Sequence, residues 1–158
     1  KKLKIIPRPK NLIDGSIPMN EIIKCDLENA KNEHILQTHS TNPLLSQDAL
    51  IKAIDLYFKQ LDEFDSLFSV TARQSRFYDE KRNPINHNPA KLERTQDLSP
   101  LLEENSCIYL FSKTSFYQTN NRIGLKSNVF QMNEIESLDI DNEIDFNIAE
   151  TIYLKNNE

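Results

Sequence analysis

The chain has 158 residues, of which 38% are hydrophobic and 27% charged, with a formal net charge of −5. A length of this order suits one domain able to bury roughly 70% of its extended surface. The acidic balance excludes nucleic-acid binding driven by phosphate neutralisation, and no apolar run approaches the roughly 20 residues of a bilayer span. The two cysteines, Cys25 and Cys107, form no CxxC pair, which excludes a zinc cluster or a disulfide scaffold. The expectation is a cytoplasmic protein with neither nucleic acid nor membrane as partner.

Glycine is scarce. Gly15 and Gly124 are the only two, against an average usage of about 7%. A glycine-rich phosphate loop needs several in one short segment, so any nucleotide must be held in another way. The chain opens on Lys1 rather than Met, and Lys1 to Pro7 already reads as a strand. It is therefore expected to begin inside a fold.

Leu3, Ile5 and Ile6 form a short apolar run stopped by Pro7 and Pro9, an edge strand or an extended lead-in. Asp14, Gly15, Ser16 and Pro18 supply turn chemistry. Apolar spacing predicts a helix from Met19 to Ala30 and a strand from His34 to Thr38, followed by the polar loop HSTNP (39–43). Ser46 is a good N-cap for a helix whose inner face is Leu50, Ala53, Ile54, Tyr57, Phe58 and Leu61. Leu67 to Val70 reads as the next strand. Alternating helices and short apolar strands predict an α/β layer with a largely parallel sheet.

Between Arg73 and Asn105 the apolar residues thin out and Pro84, Pro89 and Pro100 punctuate the chain. So long a connection is either functional or stabilised from outside its own chain. Strand character resumes from Cys107 to Phe111, and Ser112 or Thr114 can cap a short helix through Phe116 and Tyr117. Val129 to Met132 and Ile135 to Ile140 read as two more strands. A last helix is predicted over 142–154, with Ile144, Ile148, Ala149, Ile152 and Tyr153 on one face. Asn142 and Asp145 form a capping-box pair at its start.

Asp139 and Asp141 fall at the end of the last predicted strand, where side chains at i and i+2 share a face. Two such carboxylates suit Mg²⁺, which takes one or two protein carboxylates and completes its shell with water and phosphate. The other reading is that Asp141 or Asn142 simply caps the following helix. His34, His39 and His87 lack metalloprotease spacing, and no G-x-S-x-G elbow supports a hydrolase triad. Arg73, Arg76, Arg82, Lys91 and Arg94 make the middle segment locally basic. Among Asp79, Glu80 and Glu93 this is a solvated face or a surface that meets an anion.

Several segments resemble, in the right order, one family: the acylneuraminate cytidylyltransferases, or CMP-sugar synthetases. ILQTHSTNPLLS (35–46) resembles their LQ-x-T-S-P-L strand and loop, and LFSVT (67–71) their next core strand. RTQDLSPLLEENSCIYLF (94–111) resembles their RxQD…NGAIYI segment, and SLDIDNEIDFNIAE (137–150) their S-x-DIDT…AE ending. IIPRPKNLIDGS (5–16) resembles the stretch before their second helix.

The resemblance implies a Rossmann-like nucleotidyltransferase sheet with flanking helices and a protruding dimerisation arm, here about 76–102, within one partial domain over 1–158. It implies a homodimer that transfers CMP from CTP to the anomeric hydroxyl of an acidic 2-keto sugar, releasing pyrophosphate. By the same resemblance Asp139 and Asp141 hold Mg²⁺ and serve catalysis, Gln37, Asn105 and Tyr109 belong to the sugar side, and Ser16 approaches the cytosine. Arg94 lies one position from the family's carboxylate-binding arginine, a place taken here by Thr95.

Other departures are the absent R-x-x-S-K nucleotide loop, NSCIY for NGAIY, the longer HSTNP loop, and NRIGLK (121–126) in place of an aromatic pair. Two alternatives stay open. One is a cytidylyltransferase for another acidic sugar such as keto-deoxy-octulosonate, the other a non-catalytic dimerising homologue or fragment.

Overall fold

A computed structural model describes residues 3–156, so the Lys1 and Lys2 of the expected opening strand lie outside it. The helices are α1 (Met19–Asn29), α2 (Gln47–Lys59), α3 (Lys113–Thr119) and α4 (Glu143–Asn156); the strands are β1 (His34–Thr38), β2 (Ser66–Arg73), β3 (Leu101–Ser112) and β4 (Ser127–Met132). The strands form one sheet in the order β1-β3-β2-β4. β4 pairs with β2 in parallel, whereas β3 runs antiparallel to both β1 and β2. The sheet is thus mixed: three strands share a direction and the longest opposes them. Residues 3–9 form no ladder, and Leu3 and Ile5 are exposed, so this segment is an extended lead-in.

Alternation along β3 builds two layers of core. Ile108 and Leu110 pack with Ala53 and Tyr57 of α2, Leu67 and Met132. Tyr109 and Phe111 face the other way, onto Ile23 and Leu27 of α1 and Phe116 of α3. Ser46 caps α2 by accepting from the Ala49 amide at 3.0 Å, and Ser112 caps α3 by accepting from Ser115 at 2.9 Å. Of the predicted inner face of α2, Ala53 and Tyr57 are buried and Phe58 is exposed, while Ala49, outside that prediction, is buried. α4 buries only Ala149; its Ile144, Ile148 and Tyr153 are exposed, so the apolar face expected there is largely open.

Residues 74–100 are braced from within. Asn86 accepts from the Phe77 amide (3.0 Å) and donates to the Ser75 and Ser99 carbonyls (2.7 and 3.0 Å). Gln74 donates to the carbonyls of Gln96 and Leu98. Side-chain amides replace the apolar core that this segment lacks.

One loop depends on a glycine. Asp65 accepts from the amides of Leu125 and Lys126 (2.9 and 3.1 Å) and from Ser66 Oγ (2.9 Å), while Ser66 Oγ accepts from the Gly124 amide (2.8 Å). A Cβ at Gly124 would overlap the Asp65 carboxylate and Ser115 Oγ. Gly124→Ala is therefore expected to lower unfolding free energy by about 1–3 kcal/mol, measured by chemical denaturation. A loss under about 0.5 kcal/mol would mean that the Asp65 anchor yields freely.

Candidate functional site

The site lies where β1, β2 and β4 end and β3 begins, at the carboxyl edge where ligands of open α/β sheets bind. Here the β2–β3 ladder breaks: Phe68 faces Tyr109, yet Val70 faces Glu104. The surplus residues of β3 are held by side chains. Asn105 Oδ1 accepts from Ser69 Oγ (2.5 Å) and the Cys107 amide (3.2 Å), while its Nδ2 donates to Thr71 Oγ1 (3.0 Å). Ser69 Oγ also accepts from the Ile108 amide (2.8 Å), replacing a lost ladder bond. Ser106 turns the corner in the left-handed region, at φ 59°, a conformation that glycine adopts without strain.

Thr71 Oγ1 in turn donates to Ser137 Oγ at 3.0 Å, which ties the bulge to residues 133–142. These form a turn and coil rather than the expected strand. Asn133 Oδ1 accepts from the Glu136 amide (2.9 Å) and Asn133 Nδ2 donates to the Glu136 carboxylate (2.7 Å), so local polar bonds prevail over the alternating pattern. Two bonds to the loop after β1 fix the far end. The Ile140 amide donates to the Thr41 carbonyl (2.9 Å), and Asn42 Nδ2 donates to the Leu138 carbonyl (3.3 Å).

Asp139 and Asp141 line one cavity of about 450 Å³, with Glu103, Glu104, Asn105, Ser106 and Glu134. Arg73 neutralises two of these acids, holding Glu103 at 2.6 Å and Glu134 at 2.8 Å. No ion pair among the described residues involves Asp139 or Asp141. The helix start is satisfied without them. Asn142 Oδ1 accepts from the amides of Ile144 and Asp145 (2.9 and 3.2 Å), and Asp145 Oδ2 accepts from those of Asp141 and Asn142 (3.1 Å each). The capping box forms as the sequence predicts and uses neither aspartate carboxylate; Asp139 Oδ1 accepts one long bond from Asn42 Nδ2 (3.5 Å). A turn, not strand pleating, brings the pair to one cavity. Among the described residues no preformed cage of three or more His, Cys, Asp or Glu exists. Two hard carboxylates are what Mg²⁺ needs when substrate completes its shell.

Beside this cavity runs a second polar row. Gln37, at the end of β1, pairs in register with Tyr109 and lines a larger, open cavity of about 720 Å³ together with His39. Gln37 Nε2 lies 3.2 Å from His39 Nε2, and Gln37 Oε1 accepts from Arg122 at 3.2 Å. The Arg122 guanidinium sits 3.5 Å above the Tyr109 ring and 3.4 Å from His39 Nε2. Tyr109 is buried and donates its O–H to the Glu104 carboxylate, while its oxygen lies 3.2 Å from the Ser106 hydroxyl. Burial above all, with the Glu104 bond, pushes its phenol up to about 12. It is a neutral donor and a platform for the cation.

Ser16 and Arg94 lie apart from this constellation. Ser16 is exposed and donates both amide and hydroxyl to Asp14 Oδ1 (2.8 and 2.6 Å). Arg94 is held by both oxygens of Asp97 (2.7 and 3.0 Å). Neither lines the two cavities. Conversely, His39 lines the larger cavity, and Arg122, outside the lining of both, joins the row through Gln37, His39 and Tyr109; neither was singled out as a site residue. Their signal was the pair of departures from the family pattern, the longer HSTNP loop and NRIGLK.

A mixed sheet flanked by helices, with carboxylates and an amide–arginine row at its carboxyl edge, puts these residues where open α/β domains bind ligands. Residues 2–157 match the family described as Cytidylyltransferase, and the chain belongs to that family. It is 31% identical over 149 residues to N-acylneuraminate cytidylyltransferase A of Danio rerio, covering 90% of this chain and 34% of that protein. It is 21% identical to post-translational flagellin modification protein B of Campylobacter coli, covering 91% of this chain and 60% of that one. The chain thus spans between about a third and three-fifths of these relatives. The crystal structure of 4-diphosphocytidyl-2C-methyl-D-erythritol synthase from Anaerococcus prevotii shares the fold. Its TM-score is 0.59 at 15% identity, covering 89% of this chain and 68% of that one.

The site has a titration signature. Burial first, then the neighbouring Arg122 cation, hold the His39 imidazole below its ordinary 6.5, against an opposing pull from Asp139. Folded His39 binds fewer protons than unfolded His39, so its contribution to stability is complete above that value and declines as pH falls through it. Denaturation midpoints of wild type should therefore drop more between pH 7 and pH 5 than those of His39→Gln. Parallel slopes would show that His39 does not carry the effect.

Proposed function

We propose that the protein transfers CMP from CTP to the anomeric hydroxyl of an acidic 2-keto sugar. The hydroxyl oxygen bonds to the α-phosphorus, the bond to the β-phosphate bridge breaks, pyrophosphate leaves and the hydroxyl proton is lost. The observation that carries this reading is the pair Asp139 and Asp141, free of ion-pair partners in one cavity beside the Gln37–Tyr109 row, in a chain of the cytidylyltransferase family. The name of one relative, N-acylneuraminate cytidylyltransferase A, favours a sialic-type sugar over other acceptors.

The residues divide the work by chemistry. Asp139 and Asp141 would hold Mg²⁺, which supplies positive charge against the triphosphate when bound. Gln37 offers amide hydrogen bonds to sugar hydroxyls, and Glu104 and Ser106 fix the Tyr109 phenol beneath Arg122. Catalysis of this kind is mainly positioning and charge neutralisation, which suits a site held by braced loops. A homodimer through residues 76–102 is part of the same reading. Leu92 at the tip is 94% exposed, and Tyr78 and Ile85 are about half exposed, apolar surface that a partner subunit would cover.

Pyrophosphate release from CTP by the full-length protein should appear with 2-keto sugar acids and not with neutral sugars; no release with any acid of a nonulosonate and octulosonate panel would overturn the reading. Asp141→Ala should abolish that release at every Mg²⁺ concentration and remove CTP-dependent Mn²⁺ binding seen by electron paramagnetic resonance. Unchanged turnover would remove the metal role. Leu92→Glu should move the protein toward monomer in sedimentation; an unchanged dimer would relocate the interface.

A further inference from the structure

Arg122 is a cation without an anion. Its side chain is half-buried, and no ion pair among the described residues includes it. The groups its guanidinium touches are neutral, namely the Gln37 amide oxygen, His39 Nε2 and the Tyr109 ring face, and Glu104 is bonded to the far end of that ring, at the Tyr109 hydroxyl. Of its five N–H donors only those on one terminal nitrogen find partners among the described residues, which leaves the other edge of the fork open to a ligand. Partly burying a guanidinium without a counter-charge is unfavourable unless something later supplies one. The arrangement also keeps it charged and aimed, because the ring beneath and the amide beside it fix the plane of the fork.

The surroundings say where that anion comes from. Arg122 is anchored through its own loop: Gly124 and the next two residues hang on Ser66 and Asp65, and Asn121 Oδ1 accepts from the Ile123 amide at 3.2 Å. The loop thus presents the guanidinium next to Gln37. Glu103, Glu104, Glu134, Asp139 and Asp141 gather in one cavity, where a cation and the triphosphate belong on the proposed reading. Arg94, the residue nearest in sequence to the family's usual carboxylate binder, already has its carboxylate in Asp97.

We infer that Arg122 is the residue that grips the carboxylate of the acidic sugar, by two parallel N–H···O bonds from its free edge. This rests on the proposed transfer to an acidic sugar. It makes Arg122 a specificity-determining residue whose work is to distinguish an acid from its neutral isostere.

The test compares a sugar acid accepted by the full-length enzyme with the carboxamide of the same sugar. Wild type should prefer the acid by about 10²-fold in kcat/KM, the size of a charge-assisted bidentate contact. In Arg122→Gln that ratio should collapse to within a few-fold of unity, through a rise in the sugar KM larger than any change in the KM for CTP. Arg122→Lys should recover part of the preference, since the charge returns without the fork. Thermal midpoints of both variants separate loss of recognition from loss of fold. A preserved acid preference in Arg122→Gln overturns the assignment while leaving the transferase reading intact. So does a loss confined to the KM for CTP, which would place a phosphate at Arg122. Failure of wild type to use any sugar acid would instead remove the transferase reading itself.

Discussion

The Asn105 side chain is the piece on which the rest of the site hangs. It replaces the ladder bonds missing where β3 bulges away from β2, joining Ser69, Thr71 and the Cys107 amide in one buried knot. From Thr71 the chain of hydrogen bonds passes to Ser137 and so to the loop carrying Asp139 and Asp141. The same bulge turns Glu104 and Ser106 toward the Tyr109 phenol. The acid pair and the row of Gln37, Tyr109 and Arg122 are thus supported by one irregularity. An amide is suited to this because it both donates and accepts, and burial makes each of those bonds costly to leave unmade.

The resemblance assigned Asn105 to the sugar side, and the geometry gives it a definite mechanical role in addition to its place in the cavity wall. Its Oδ1 is committed to two donors, and one of its amide hydrogens to Thr71. Ser106 belongs to the same account: its left-handed backbone explains why glycine at this position suits the family pattern. A serine there adds a hydroxyl that meets the Tyr109 phenol.

The sequence made β1, α1 and α2 legible because their apolar spacing and the Ser46 cap act locally. The capping box of α4 was legible for the same reason. The direction and length of β3 were not. Its first half, LLEEN, is largely solvent-exposed and reads as loop, and only pairing with the end of β2 makes it strand. The stretch Ile135–Ile140 failed in the opposite sense, since its alternation suggested a strand while Asn133 and Glu136 closed a turn. Asp139 and Asp141 stand out in the sequence by their motif. Arg122 carries no motif, and its place beside Gln37 depends on contacts 85 residues apart. Only the substitution of NRIGLK for an aromatic pair pointed toward it.

The knot at Asn105 also decides how the two thiols behave. Cys107 is wholly buried within it, with its sulfhydryl on the Asn105 carbonyl and its ionisation pushed up to about 12, chiefly by burial. Almost no thiolate exists there at neutral pH, so alkylating reagents are left with the partly exposed Cys25 of α1. A fluorophore or spin label added to the native chain would therefore report from a single place. It would ride on the helix packed over Tyr109 and Phe111, registering movement of that layer while the knot beneath keeps its chemistry.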